Sequence, residues 1–171
     1  MIYLGIDPGL VKTGVGIISG AGQNIKYLGH KLIKTDSKMP LPERLATLIN
    51  GLDEVIKEFK PNIAAIEDVF VSQNAKSALL LGQARGALIA TVMNNKIPMY
   101  EFTALQIKKA VTGYGKAEKE QVRKMVELQL KIQVNQKVQL DVTDALGCAI
   151  CVSQEHIRGV KLWFIKLQVK F

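Results

Sequence analysis

Much that would set this chain apart is missing from it. Nowhere in its 171 residues does an apolar run approach the roughly 20 residues that a membrane-spanning helix needs. The first residues lack the basic stretch followed by an apolar one that marks a secretory signal. Cysteine occurs only as Cys148 and Cys151, too few and too close together for a disulfide framework. No internal repeat, low-complexity tract or long linker breaks the chain. These absences exclude a helical membrane protein, a disulfide-stapled secreted domain and a repeat array. They lead to the expectation of a cytoplasmic protein with no membrane partner. Its single domain is expected over 1–156, and a tail over 157–171 is left without an assigned structure.

What is present begins with charge. The formal net charge is +8, but it is unevenly placed. Between Lys108 and Lys124 there are six basic residues against Glu118 and Glu120, and from 157 to 171 there are four basic residues and no acid. The remainder balances to zero. Clustering of this kind fits a polyanionic partner, of which nucleic acid is the usual one, or else a solvated basic face.

Hydrophobic periodicity sets the fold class. Residues 2–6, 14–19 and 25–35 read as three β-strands joined by short loops, with a bulge expected at Gly29. Leu45, Leu48, Ile49, Leu52, Val55, Ile56 and Phe59 then recur at helical spacing until Pro61. A buried strand is expected at 63–67 and a long helix over 74–95. A strand at 97–102 leads into a helix capped by Thr103, and two more helices follow, the last starting at Asp141. The order βββ-α-β-α-β-α-α-α predicts an α/β fold, a mixed five-stranded sheet with helices on both faces. Gly82 and Gly86 fall inside the long helix, where glycine costs about 1 kcal/mol relative to alanine, so close packing against another backbone is expected there.

Four carboxylates stand where acids are costly. Asp7 ends the apolar run MIYLGID, Glu67 ends IAAIE, and Asp141 and Asp144 lie three apart at a helix start, projecting on nearly one face. Each has a plain alternative. Asp7 precedes Pro8-Gly9 and suits a turn, Glu67 with Asp68 suits a strand leaving the core, and Asp141 with Asp144 resembles a helix N-cap pair. Taken together, acids converging on one sheet rim repel one another, and a hard cation with oxygen ligands is the natural neutraliser. Four acids suit a pair of Mg²⁺ ions roughly 3.5–4 Å apart, the arrangement for in-line displacement at a phosphodiester, with the lysine cluster holding the phosphate backbone.

The strings LGIDPG and TGVGII, then AIEDVFVSQNAKSALLLGQARG, GYGKAEKEQVRKMV and DVTDAL, occur in that order over about residues 1–155. In them the chain resembles the RuvC family of Holliday junction resolvases. The resemblance implies a ribonuclease H-like fold and a homodimeric, Mg²⁺-dependent endonuclease, with Mn²⁺ as a substitute ion. Such enzymes nick two opposed strands of a four-way DNA junction in homologous recombination and DNA repair. It implies Asp7, Glu67, Asp141 and Asp144 as catalytic, metal-holding acids, Lys108 and Lys119 as phosphate contacts, and Phe70 as an aromatic that stacks at the junction. It also implies a junction-binding protein and a branch-migration ATPase as partners. The tail after about 157 carries no pattern of the family; it is apolar and contains the only Trp.

Two further motifs point elsewhere. Cys148 and Cys151 form a C-x-x-C, which in another setting would mean zinc or redox chemistry. Only His30 and His156 remain to complete a zinc site, and the pair lies inside an apolar helix, so buried core thiols are expected. A GID-x-G strand loop also opens actin-like sugar kinases and chaperone ATPases, but those need a second such domain. A catalytically dead junction-binding module would carry the basic face without the acids, and all four acids are present.

Overall fold

The computed structural model describes residues 1–22, 24–68, 74–132 and 140–157. Strands β1 (Ile2–Asp7), β2 (Lys12–Ala21) and β3 (Asn24–Lys34) form the expected antiparallel meander. Helix α1 (Leu41–Phe59) leads to β4 (Ile63–Asp68), helix α2 (Ala75–Asn94) to β5 (Met99–Thr103), and helices α3 (Ala104–Thr112), α4 (Lys119–Leu130) and α5 (Leu140–Ile157) follow. The sheet order is β3-β2-β1-β4-β5, with β4 parallel to both β1 and β5. The two crossover helices, α1 and α2, cover one face of the sheet. Helices α3, α4 and α5 cover the other.

Local chemistry accounts for the boundaries. Helix α1 ends where Lys60 takes a left-handed conformation ahead of Pro61. Thr103 caps α3 in a capping box with Gln106, as its position predicted. The bulge in β3 falls one residue from the expected place: Ile17 pairs with Gly29 and Ile18 with Tyr27, which leaves Leu28 unpaired. Gly29 has another reason to be glycine, because a Cβ there would lie 2.9 Å from the Phe59 ring. Asp141 lies inside the first turn of α5 rather than at its cap, where an acid is still favoured by the helix dipole.

Two expectations concern packing. Cys148 and Cys151 are buried in the core beneath α5 and are not joined by a disulfide, as expected. Gly82 and Gly86 are not packed against any other part of the described chain: a Cβ at either would meet nothing within 4 Å. The expected close approach is therefore not made among the described residues. Among the described residues no helix is long and apolar enough to cross a membrane.

Candidate active site

Strand alternation decides where the first two acids point. Tyr3 on β1 and Ile63 and Ala65 on β4 belong to the core under α5, whereas Leu4, Ile6, Ala64 and Ile66 belong to the core under α1 and α2. Continuing the first row puts Asp7 and Glu67 on the α5 side of the sheet. The strands pair in parallel as far as Ile6 with Ile66, so the two acids are the next residues along neighbouring strands.

The second two acids arrive because α5 lies almost directly on the sheet. A Cβ on Gly5 would sit 2.0 Å from the Ala145 carbonyl oxygen, and one on Gly14 would sit 1.9 Å from that of Asp141. Gly14 pairs with Asp7 across the β1–β2 ladder. These two glycines remove the side chains that would hold the helix away, and they bring Asp141 and Asp144 down to Asp7.

The result is a cleft of about 260 Å³ lined by Asp7, Glu67, Asp141, Asp144, Lys108 and Lys119, with Ile107 and Val122 on its apolar wall. All four predicted acids and both predicted lysines meet there. Lys108 is placed by α3, which starts from the end of β5, and Lys119 by the first turn of α4. Lys119 Nζ stands 3.8 Å from Asp144 Oδ2. Phe70 lies outside the described residues, as do residues 158–171 of the tail.

The electrostatics of the cleft are those of crowded anions. Burial, followed by the nearby Glu67, Asp144 and Asp141, pushes the Asp7 carboxyl up to about 8, against a smaller lowering by Lys119. Burial and Asp144 raise Glu67, with Lys119 and Lys108 opposing. Burial also raises Asp144, opposed by Lys119. Two lysines do not neutralise four acids. Among the described lining residues the donors are carboxylate oxygens, with no thiol or imidazole, which is the chemistry of a hard divalent cation. The acids surround the cleft without closing on one point, and among the described residues no three His, Cys, Asp or Glu form a ready-made ion cage. A site of that kind suits an ion that keeps waters and takes one or two carboxylates together with substrate phosphate.

Two residues that secure the cleft drew no attention in the sequence. Thr13 is fully buried, accepts a hydrogen bond from the Gly9 N–H at 3.3 Å and donates to the Gly9 carbonyl at 2.7 Å, which locks the loop after Asp7. A threonine four residues past a Pro-Gly turn is the only local signal for this. Arg85, inside the string LGQARG, donates to the main-chain carbonyl of Glu67 at 3.3 Å. Nothing local in the sequence announces that contact, because it joins residues 18 apart through the fold.

Fold and cleft together define an α/β protein of the ribonuclease H-like class. Residues 3–152 match the model of the family described as Crossover junction endodeoxyribonuclease RuvC. The crossover junction endodeoxyribonuclease RuvC of Citrifermentans bemidjiense is 46% identical over 164 residues, covering 96% of this chain and 98% of its own. That of Vibrio vulnificus is 49% identical over 150 residues, covering 88% of this chain and 85% of its own. The solved structure of T. thermophilus RuvC in complex with Holliday junction substrate is similar with a TM-score of 0.87 at 29% identity, covering 93% of this chain and 96% of that one. The yeast mitochondrial Holliday junction resolvase Ydc2 shares the fold, with a TM-score of 0.61 at 14% identity over 88% of this chain and 75% of that one. The chain belongs to the RuvC family of crossover junction endodeoxyribonucleases. It is a nuclease, and the ATP-binding alternative falls away.

Proposed function

We propose that this chain resolves four-way DNA junctions by hydrolysing one phosphodiester in each of two opposed strands, using the cleft acids to hold divalent cations. The observation that carries the reading is the meeting of Asp7, Glu67, Asp141 and Asp144 in one cleft with too little positive charge to balance them. Those four residues would hold a pair of hard cations, Mg²⁺ or in its place Mn²⁺. Such ions, when bound, supply an activated water and neutralise charge at the leaving oxygen. The protein's own part is to orient and to exclude. Asp7 and Glu67 are fixed on neighbouring strands, so their spacing is set by the sheet and not by mobile loops. Lys108 and Lys119 border the same cleft and would contact backbone phosphates of the junction. Ile107 and Val122, both buried, supply the apolar part of the lining. Phe70 follows Glu67 by three residues and stacks on a base unpaired at the crossover.

Two nicks in opposed strands call for two copies of the cleft, and α2 offers the surface that joins them. Leu79, Gly82, Gly86, Ala90 and Met93 are exposed on one stripe of that helix at spacings of three or four. Glycines at two of these positions permit a close backbone approach that no described residue of the same chain makes. On this reading the chain acts as a homodimer, and the family resemblance adds the cytoplasm as its place and a junction-binding protein and a branch-migration ATPase as its partners. Incubation with a synthetic four-way junction, with and without Mg²⁺, tests the proposal. Paired, symmetric, Mg²⁺-dependent nicks are expected, while a linear duplex of the same sequence stays intact. Equal cutting of the duplex would overturn it.

A further inference from the structure

On the face of the sheet away from the cleft, one side chain ties three acceptors together. The β1–β4 ladder ends at Ile6 and Ile66, one residue short of Glu67. Where that ladder stops, Arg85 of α2 reaches the strand from behind. Its Nε–H donates to the main-chain carbonyl of Glu67 at 3.3 Å. Its Nη2 is paired with the carboxylate of Glu101 and stands 3.5 Å from Oδ1 of Asp68.

The alternation of β4 explains why this is possible. Glu67 follows the row that faces α5, while Asp68 follows Ala64 and Ile66 on the α2 side. Glu101 pairs with Ile66 across β4 and β5. The Arg85 side chain is 20% exposed, whereas Asp68 and Glu101 are about half exposed, so the guanidinium is the inner member of the cluster. Its position is set by Ala84 and Leu88, both fully buried, which dock α2 on the sheet. A planar fork can serve a carbonyl and two carboxylates at once; a lysine ammonium on a flexible stem lacks that fixed geometry.

We infer that Arg85 is a positioning residue for the cleavage reaction: it holds the main chain at Glu67, and thereby the Glu67 carboxylate, from behind the sheet. The inference rests on the reading of Glu67 as a catalytic acid. It also links the helix offered as the dimer contact to the reacting strand, since Arg85 lies between Gly82 and Gly86.

The test uses the full chain with Arg85→Lys, Arg85→Ala and, as a control, Glu67→Gln. Four quantities are measured: melting temperature, junction affinity without divalent ions, single-turnover cleavage rate, and the Mg²⁺-induced rise in melting temperature without DNA. Arg85→Lys is expected to melt within a few degrees of the parent and to bind the junction within about twofold. Its cleavage should fall tenfold or more, the half-saturating Mg²⁺ concentration should rise severalfold, and the Mg²⁺-induced thermal shift should shrink. A parental rate and Mg²⁺ requirement in Arg85→Lys, with Glu67→Gln inactive, would overturn the inference alone. Parental cleavage by Glu67→Gln would remove the reading of Glu67, and this inference with it. If Arg85→Lys fails to fold, or if cleavage by either Arg85 variant falls only in proportion to its folded fraction, Arg85 is structural and the inference is wrong.

Discussion

Gly14 on β2 lies beside Asp7 in the antiparallel ladder, and the space its missing side chain leaves is taken by the backbone carbonyl of Asp141, 1.9 Å from where a Cβ would be. One hydrogen atom in place of a methyl group thus decides whether the acids of α5 and of the sheet can share a cleft. Gly14→Ala should push the start of α5 outward and cost about 1–3 kcal/mol of stability, as overpacking does. Thermal melting should show a loss of several degrees, and cleavage should fall by tenfold or more even at temperatures where the variant is folded. A variant that melts lower but cuts at the parental rate would mean that the approach of α5 matters to stability alone.

The crowding of the acids gives the metal-free protein a pH dependence of definite sign. The ordinary Asp7 carboxyl titrates near 3.8, and in the folded cleft it is pushed up to about 8. Between those values the native state keeps a proton that the unfolded chain has released, so stability falls as pH rises through that window. Glu67 and Asp144 are raised too and act in the same direction. The melting temperature in chelator should therefore decline from pH 5 to pH 8.5, and Asp7→Asn should flatten the decline. Mg²⁺ binds the ionised form, so its stabilising shift should be larger at pH 8.5 than at pH 5.5. Scanning fluorimetry at several pH values, with and without Mg²⁺, checks both.

Lys119 stands at the cleft mouth with its ammonium 3.8 Å from Asp144 and largely exposed. If it contacts one phosphate, Lys119→Ala should weaken junction binding across sequences and flatten the log–log salt dependence by about 0.9. Titrations at several salt concentrations supply the slope. An unchanged slope with lost cleavage would move Lys119 from binding into the chemistry.

The open stripe on α2 predicts a dimer that a single charge disrupts. A Cβ at Gly86 meets no described atom within 4 Å, and glutamate replaces a poor helix former on an exposed position, so the folded chain should tolerate Gly86→Glu. Light scattering coupled to size exclusion should show the parent as a dimer and Gly86→Glu as a monomer at the same concentration. A dimeric variant would place the contact elsewhere.

The sequence made the strands, helices and their order legible because their periods are strong and their stops are chemical, as at Pro61 and Thr103. The cleft acids were legible because an ionised group at the end of an apolar strand has few other reasons to be there. The rest depends on distances that no spacing encodes. The register that places Gly14 under Asp141, the reach of Arg85 across the back of β4 and the locking of Gly9 by Thr13 all arise from packing between separate elements. Gly82 and Gly86 mark the opposite case: the signal is visible, but its expected partner is not among the described residues. The bulge falls at Leu28, and Gly29, its expected sign, lies instead against the Phe59 ring.

The central claim, that the four acids perform the cleavage while other residues hold the DNA, is tested most directly by single amide substitutions. Asp7→Asn, Glu67→Gln, Asp141→Asn and Asp144→Asn are each assayed on one synthetic four-way junction, for binding without divalent ions and for nicking with Mg²⁺. The account predicts that each variant binds the junction within a few-fold of the parent and loses nicking by orders of magnitude. An Asp144→Asn variant that melts slightly lower yet turns over normally would leave that residue a structural role near the start of α5 and no part in cleavage. Binding that falls in step with nicking across all four folded variants would contradict the account.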